Sequence, residues 1–124
     1  MRSKIVILAS LLLGFSAHSM AASFDCAKAM TKTEKAICAD ATLSLLDETL
    51  SNNYMMILSA NIGSGARSAI KAEQRAWLSS RNRCNDRQCL VNSYVERIDS
   101  VCEVPVLSGV HPTCTESGDV LIRP

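Results

Sequence analysis

Histidine and aromatic residues are scarce in this 124-residue sequence, and their scarcity limits the chemistry open to it. The two histidines are His18, within the first 22 residues, and His111, near the carboxyl end. They leave little material for a Ser-His-Asp or Cys-His catalytic arrangement. Aromatic residues make up 4% of the chain, too few for the stacking platforms of single-strand binders and sugar-binding enzymes, and neither GxGxxG nor a P-loop occurs. We therefore expect neither an enzyme nor a cofactor.

A long apolar run is also missing. The most apolar stretch, residues 5–13, is well short of the ~20 residues that a membrane-spanning helix needs. Arg2 and Lys4 precede it and small residues follow it, which is the pattern of a secretory signal peptide over residues 1–22, cleaved after Ala21 or Ala22. An uncleaved anchor is the alternative. We expect a periplasmic or secreted protein with no stable membrane anchoring.

Net charge is nearly absent from the part that follows. Residues 23–124 carry 11 basic and 12 acidic side chains, a formal charge of −1, which argues against a nucleic-acid partner. The charge is uneven, however, because residues 67–97 carry seven basic and three acidic side chains, whereas residues 99–124 carry one and four. A solvated helix face balanced by its own tail explains this pattern, and so does a partner-binding surface.

Cysteine, by contrast, is plentiful, and all six cysteines lie after the signal peptide. An even number in a small exported domain indicates disulfides. Short loops close at the least entropic cost, which favours the pairs Cys26–Cys38, Cys84–Cys89 and Cys102–Cys114. A structural zinc site that includes His111 is the competing use. A redox role for Cys84 and Cys89 is a further alternative, although the CxxC spacing of disulfide oxidoreductases is missing.

Two helices are indicated in the first half of the domain. The segment TKTE, residues 31–34, matches a capping box and predicts a short first helix that ends near Cys38. A second helix is predicted after Asp40 and stops at the glycine-containing residues 61–65. Its apolar residues recur at steps of three and four, at Leu43, Leu46, Leu50, Tyr54, Ile57 and Leu58.

Two further helices and an irregular tail follow. The third helix is predicted from Ala66 to about Arg83, with Trp77 and Leu78 in the core and a basic face formed by Arg67, Lys71, Arg75 and Arg81. The fourth is predicted from Leu90 to near Cys102. Prolines and glycines in residues 103–124 exclude a long helix there, and the pieces VPVL and DVLI are predicted to be extended. The fold class is therefore all-α, with a helical domain at 23–102 and a tail at 103–124.

A set of residues spread over about residues 24–101 forms one recognisable pattern: Phe24, Asp25, Cys26, Lys28, Thr31, Glu34, Ile37, Cys38, Leu43, Leu46, Asp47, Leu50, Tyr54, Gln74, Trp77, Leu78, Arg81, Cys84, Cys89, Leu90, Tyr94, Arg97 and Ile98. This pattern resembles the lysozyme inhibitor LprI N-terminal family of small exported bacterial proteins. The tail with Cys102 and Cys114 departs from the resemblance. The resemblance implies a disulfide-stapled helical domain and, by the family's name, inhibition of lysozyme.

The motif Gln74, Trp77, Arg81, Tyr94 and Arg97 is interpreted as structural. Arg81 is expected to pair with Asp47 or with helix carbonyls, where a bidentate guanidinium is stronger than a lysine. The candidate partner-binding residues lie in the turn that the Cys84–Cys89 pair would close: Arg83, Asn85, Asp86, Arg87 and Gln88.

Lysozyme-type glycosidases use two carboxylates in a cleft, with which arginines on a rigid loop can pair. The predicted partner is thus lysozyme or another cell-wall hydrolase. The alternatives are an ordinary polar helix connection and, for the whole protein, a structural or stress-related envelope protein with no hydrolase target.

Overall fold

The computed structural model describes residues 22–123. Apart from Ala22, the predicted signal peptide lies outside the described residues, and so does Pro124. All regular secondary structure in the described part is helical, as the all-α prediction requires. A 3-10 turn at Cys26–Lys28 is followed by α1 (Lys32–Ala39), α2 (Ala41–Ser59), α3 (Ser64–Arg81), α4 (Arg87–Cys102) and α5 (Ser117–Leu121). None of the helices within residues 22–123 has the length and apolar character that a membrane crossing requires.

The start of α1 is the predicted capping box. The Thr31 hydroxyl accepts a hydrogen bond from the Glu34 N–H over 3.1 Å, and the Glu34 carboxylate accepts one from the Thr31 N–H over 3.1 Å. The same carboxylate accepts a third hydrogen bond, from the Met30 N–H. These backbone donors lower the pKa of Glu34, because they stabilise its charged form.

Helix α2 is the central helix, and its predicted apolar stripe is buried. Its leucines at 43, 46 and 50 and Ile57 are at most 2% exposed, while Tyr54 and Leu58 are half-buried. The stripe packs mainly against α4, whose own buried face is formed by Leu90, Val91, Tyr94, Ile98 and Val101. The pairing of these two helices creates the main apolar core, and α1 packs across α2 beside it.

Helix α3 differs most from the sequence prediction. Leu78 was expected in the core but is 36% exposed, and Trp77 is only partly buried, because α3 contacts the central helices along a narrow edge. The predicted basic face was wrong in part. Arg81 is buried, and Arg67 donates hydrogen bonds to two carbonyls at the end of α2, which leaves Lys71 and Arg75 exposed.

The six cysteines pair as the short-loop argument predicts. The Cα atoms are 5.8 Å apart in Cys26–Cys38, 5.5 Å in Cys84–Cys89 and 5.9 Å in Cys102–Cys114. The first pair ties the 3-10 turn to α1, and the second ties the segment after α3 to the first turn of α4. The third ties the end of α4 to the tail.

The tail is more ordered than the sequence suggests. The piece DVLI was predicted to be extended, but most of it lies in α5, and no strand occurs within residues 22–123. The reason is tertiary: Val120 on α5 is 2% exposed in the main core, and Ser117 at its start donates two hydrogen bonds to Asp99 of α4. The tail therefore completes the core.

Candidate partner-binding site at the disulfide loop

The disulfide loop, residues 82–89, connects the end of α3 to the first turn of α4. Its disulfide joins Cys84 to Cys89. Asp86 is the N-cap of α4, and its carboxylate accepts a hydrogen bond from the Cys89 N–H over 2.8 Å. A short covalent ring and a helix cap thus fix the loop at once. The side chains of all five candidate partner-binding residues are exposed: Arg83, Asn85, Asp86, Arg87 and Gln88.

Arg87 connects the loop to the junction of α1 and α2. Its Nε donates to Asp40 Oδ2 over 2.6 Å, and its Nη2 lies 3.5 Å from Asp40 Oδ1. This hydrogen bond lowers the pKa of the Asp40 carboxyl, which also caps α2 by accepting from the Leu43 N–H. Arg87 remains 55% exposed in its side chain, so the guanidinium is oriented by Asp40 and still accessible.

Two weaker contacts complete the docking of the loop. The Lys32 ammonium of α1 donates to Asn85 Oδ1 over 3.3 Å, and Gln88 donates to Asn92 one turn along α4. The loop is therefore held against α1 through Asn85 and against the junction of α1 and α2 through Arg87. Such pre-ordering lowers the entropy cost of binding a partner.

Arg83 and Arg87 lie in two different depressions of the surface. Arg87 lines a cleft between α1 and the loop, whereas Arg83 lines a separate depression between α3 and α4 that also contains Trp77 and Glu96. Within residues 22–123, no carboxylate lies within 4.0 Å of the Arg83 guanidinium. The two arginines thus place their positive charges in separate depressions of the surface.

The α1 cleft, as we call the first of these depressions, has a volume of about 200 Å³. Its floor is mainly apolar and is formed by Ala36, Leu43, Leu90 and the Cys84 side of the disulfide, with the buried Thr33 beside them. Its rim is polar and carries Lys32, Asp40, Asn85, Asp86 and Arg87. The cleft thus combines an apolar floor with a charged edge, which is the usual form of an anchor site for a partner side chain.

A buried polar network lies between the α2, α3 and α4 helices, one helix turn below the loop. The Tyr94 hydroxyl donates to Asp47 Oδ1 over 2.6 Å and accepts from Arg81 Nη1 over 3.1 Å. Arg81 Nη1 is also 3.7 Å from Asp47 Oδ1, which is one of the two contacts expected for Arg81. Burial, and then the negative charge of Asp47, raises the pKa of Tyr94, so the phenol stays protonated and keeps donating.

The rest of the structural motif extends this network along α3. Trp77 packs edge-on against Tyr94, with ring centroids 5.1 Å apart, and its indole N–H donates to the Ser93 carbonyl. Arg81 lies over the Trp77 ring at 5.5 Å. Farther along, Arg97 of α4 donates to Gln74 over 2.9 Å. All five motif residues therefore join α3 to α4: Trp77, Arg81 and Tyr94 do so near the disulfide loop, and Gln74 and Arg97 do so farther from it.

Residues that the sequence analysis did not single out contribute to both places. Lys32 contacts the loop across 53 residues of chain, and the hydroxyl and N–H of Ser23 donate to Asp47 across 24 residues. Neither Lys32 nor Ser23 carries a local signal of such a contact, because a lysine in the first turn of a helix and a serine near a cleavage site are both ordinary. Only the packing of the helices brings these pairs together.

Comparison with known proteins places the chain beside a known family. The model of the family described as "Lysozyme inhibitor LprI" matches residues 26–103, which is more than half of the chain and includes α1 to α4 with the disulfide loop. No curated protein and no solved structure matches the chain. The matched region ends before α5, so most of the tail lies outside it.

Proposed function

The chain belongs to the lysozyme inhibitor LprI family, and on this premise we propose that it binds and inhibits a lysozyme or a related peptidoglycan hydrolase. The family is named for inhibition and not for catalysis. Three disulfides fit an exported protein, since such bonds persist in oxidising compartments. We place its action in the periplasm or outside the cell, after removal of the signal peptide near Ala21 or Ala22.

The observation that carries this proposal is the rigid, exposed, arginine-bearing disulfide loop. Glycosidases of the lysozyme type cleave their substrate between two carboxyl groups roughly 5–10 Å apart, and a guanidinium placed beside such a group forms a strong charge-assisted pair. Arg87 is already oriented by Asp40 and uses only two of the five guanidinium N–H donors there. The remaining donors are available to a carboxylate of the target.

The buried network contributes to this function indirectly. Tyr94 and Arg81 hold the end of α3 against α4 through Asp47 of α2, so the loop starts and ends at fixed points. A loop that is ordered before binding loses less conformational entropy when the complex forms. Arg81 and Tyr94 are thus positioning residues, and Arg83 and Arg87 are the proposed contacts.

The test is inhibition of purified c-, g- and i-type lysozymes by the oxidised mature protein. Arg83→Ala and Arg87→Ala are measured separately, because the two side chains line different depressions. Lys71→Ala, which removes an equally exposed positive charge from α3, is the matched control. We expect the wild type and the control to inhibit one lysozyme class equally, and each arginine variant to weaken inhibition by about tenfold or more, as for a lost interfacial charge pair.

Two other results are informative. If inhibition is unchanged in both arginine variants, the disulfide loop is not the inhibitory contact surface. That surface would then lie on the exposed face with Lys71 and Arg75, or on the tail. Failure to inhibit any lysozyme class would reject the inhibitor function and leave the alternative, a structural or stress-related envelope protein without a hydrolase target.

A further inference from the structure

We propose that the α1 cleft is the anchor pocket of this interface, and that it takes one branched apolar side chain of the hydrolase next to a carboxylate of the same loop. The inference rests on the proposed function and deepens it, because it names the chemistry of the part of the partner that docks. The apolar side chain would lie on Ala36, Leu43 and Leu90, and the carboxylate would meet Lys32 and Arg87 at the rim.

The size of the cleft selects a side chain over a larger ligand. Its volume is about 200 Å³, below the range of roughly 300–1,000 Å³ that is usual for pockets holding cofactors and drug-sized molecules. Anchor side chains at protein interfaces fill small, water-excluding pockets of this kind, surrounded by a polar rim. The apolar floor between α1 and the loop meets this description.

The rim charges select an anion beside that side chain. Lys32 donates to a neutral amide, and within residues 22–123 no carboxylate lies within 4.0 Å of its ammonium group. The two acidic residues of the rim are already engaged: Asp40 holds Arg87 and caps α2, and Asp86 caps α4. The cationic groups therefore keep free donors, whereas each rim carboxylate already accepts at least one hydrogen bond within the protein.

This arrangement separates the roles of the two loop arginines. Arg87 belongs to the anchor pocket, whereas Arg83 lies in the other depression and makes a separate contact with the partner. A partner anchored in the α1 cleft would be sensitive to changes on α1, a helix that precedes the loop by about 50 residues. That dependence on α1 is absent from a model in which the loop alone inserts into a cleft of the target.

The cleft can be tested without a lysozyme. The probe is 4-methylpentanoate, which joins a leucine-like chain to a carboxylate, titrated into the ¹⁵N-labelled oxidised protein and followed by amide chemical shifts. We expect saturable shifts at millimolar concentrations that centre on Lys32, Ala36, Asn85 and Arg87. The neutral 4-methylpentanamide should bind more weakly, because it lacks the charge that the rim recognises.

Two variants examine the two halves of the pocket. Ala36→Leu fills the floor from within, and Lys32→Glu reverses the free charge at an exposed position in the first turn of α1, where a carboxylate is compatible with the helix dipole. Each should reduce the affinity for the probe at least about fivefold, whereas Lys71→Glu on α3 should leave it unchanged. If thermal unfolding shows that Ala36→Leu disturbs the fold, the affinity of the Lys32→Glu variant for the probe is the test of the α1 cleft.

The same variants separate this inference from the proposed function. Should the wild type inhibit lysozyme while Ala36→Leu and Lys32→Glu inhibit equally well, the α1 cleft would be rejected and the inhibitor function retained. Saturable probe binding at the cleft without inhibition of any lysozyme would reject lysozyme as the partner and support the pocket chemistry. Shifts that are absent, unsaturable or centred on Arg83 would overturn the inference.

Discussion

At the scale of single residues, Tyr94 has the central structural role. Its side chain is fully buried, its ring packs against Trp77, and its hydroxyl joins Asp47 of α2 to Arg81 of α3. Three helices meet at one phenol oxygen. Because both partners are charged and buried, each depends on the hydroxyl for part of its hydrogen bonding.

Replacement of Tyr94 by phenylalanine tests this role. Tyr94→Phe keeps the ring but removes the hydroxyl, and we expect it to lower the free energy of unfolding by about 1–3 kcal/mol, the usual cost of leaving buried polar groups without a partner. Urea unfolding measures the change. Tyr54→Phe is the control, because Tyr54 is half-buried and takes no part in this network. Equal losses in the two variants would show that the network contributes no specific stability.

At the scale of elements, the link between α2 and α3 explains why α3 starts where it does. Gly63 precedes α3 with φ +83° and ψ 158°, a conformation that is essentially restricted to glycine. A Cβ added there would lie 3.1 Å from Leu107 Cδ1 of the tail. Gly65, two residues later, is inside the helix, and a Cβ there would meet nothing within 4 Å. Replacing these two glycines by alanine should therefore change the stability of the protein in opposite directions.

A pair of alanine substitutions makes this contrast measurable. Gly63→Ala should lower the free energy of unfolding by about 1–3 kcal/mol, because alanine is strained at positive φ. Gly65→Ala should raise it by about 0.5–1 kcal/mol, because alanine has the higher helix propensity and loses less backbone entropy. Thermal or urea unfolding of both variants measures these two changes in the free energy of unfolding. A stabilised Gly63→Ala variant, or a destabilised Gly65→Ala variant, would contradict the geometry of this junction.

At the scale of the whole molecule, the tail is part of the domain although the family match ends at residue 103. Asn53 of α2 is 1% exposed and exchanges two hydrogen bonds with the backbone of Thr115, and Val120 packs in the main core. The Cys102–Cys114 disulfide closes the loop between α4 and these contacts. The tail helix α5 packs against both α2 and α4.

Removal of the Cys102–Cys114 disulfide should therefore lower the free energy of unfolding more than removal of the Cys84–Cys89 disulfide. Cys102→Ala/Cys114→Ala opens a ring with a sequence separation of 12, and we expect a loss of about 2–3 kcal/mol in unfolding free energy. Cys84→Ala/Cys89→Ala, with a separation of 5, should cost less on the same chain-entropy argument. Urea unfolding under oxidising conditions gives both values. The reverse order would mean that native contacts at the disulfide loop, and not loop closure, dominate.

The sequence by itself predicted helices α1 to α4 and favoured the disulfide pairs that the structure shows, because both depend on short-range interactions. A capping box acts over three residues, an apolar stripe over a few turns, and a ring of 5 or 12 residues closes at modest entropic cost. The five candidate partner-binding residues of the disulfide loop are exposed. Their contacts with Lys32 and Asp40 depend on tertiary packing.

The tertiary structure alone decided the rest. Lys32 and Asn85 are 53 residues apart and Arg87 and Asp40 are 47 apart, so they meet only because α1 packs beside the start of α4. Leu78 is exposed because α3 contacts its neighbours along one narrow edge. α5 is helical because Val120 is buried, since an isolated five-residue helix is too short to be stable in water. Helix packing sets the relative position of segments that are distant in the chain, and local sequence patterns do not predict that packing.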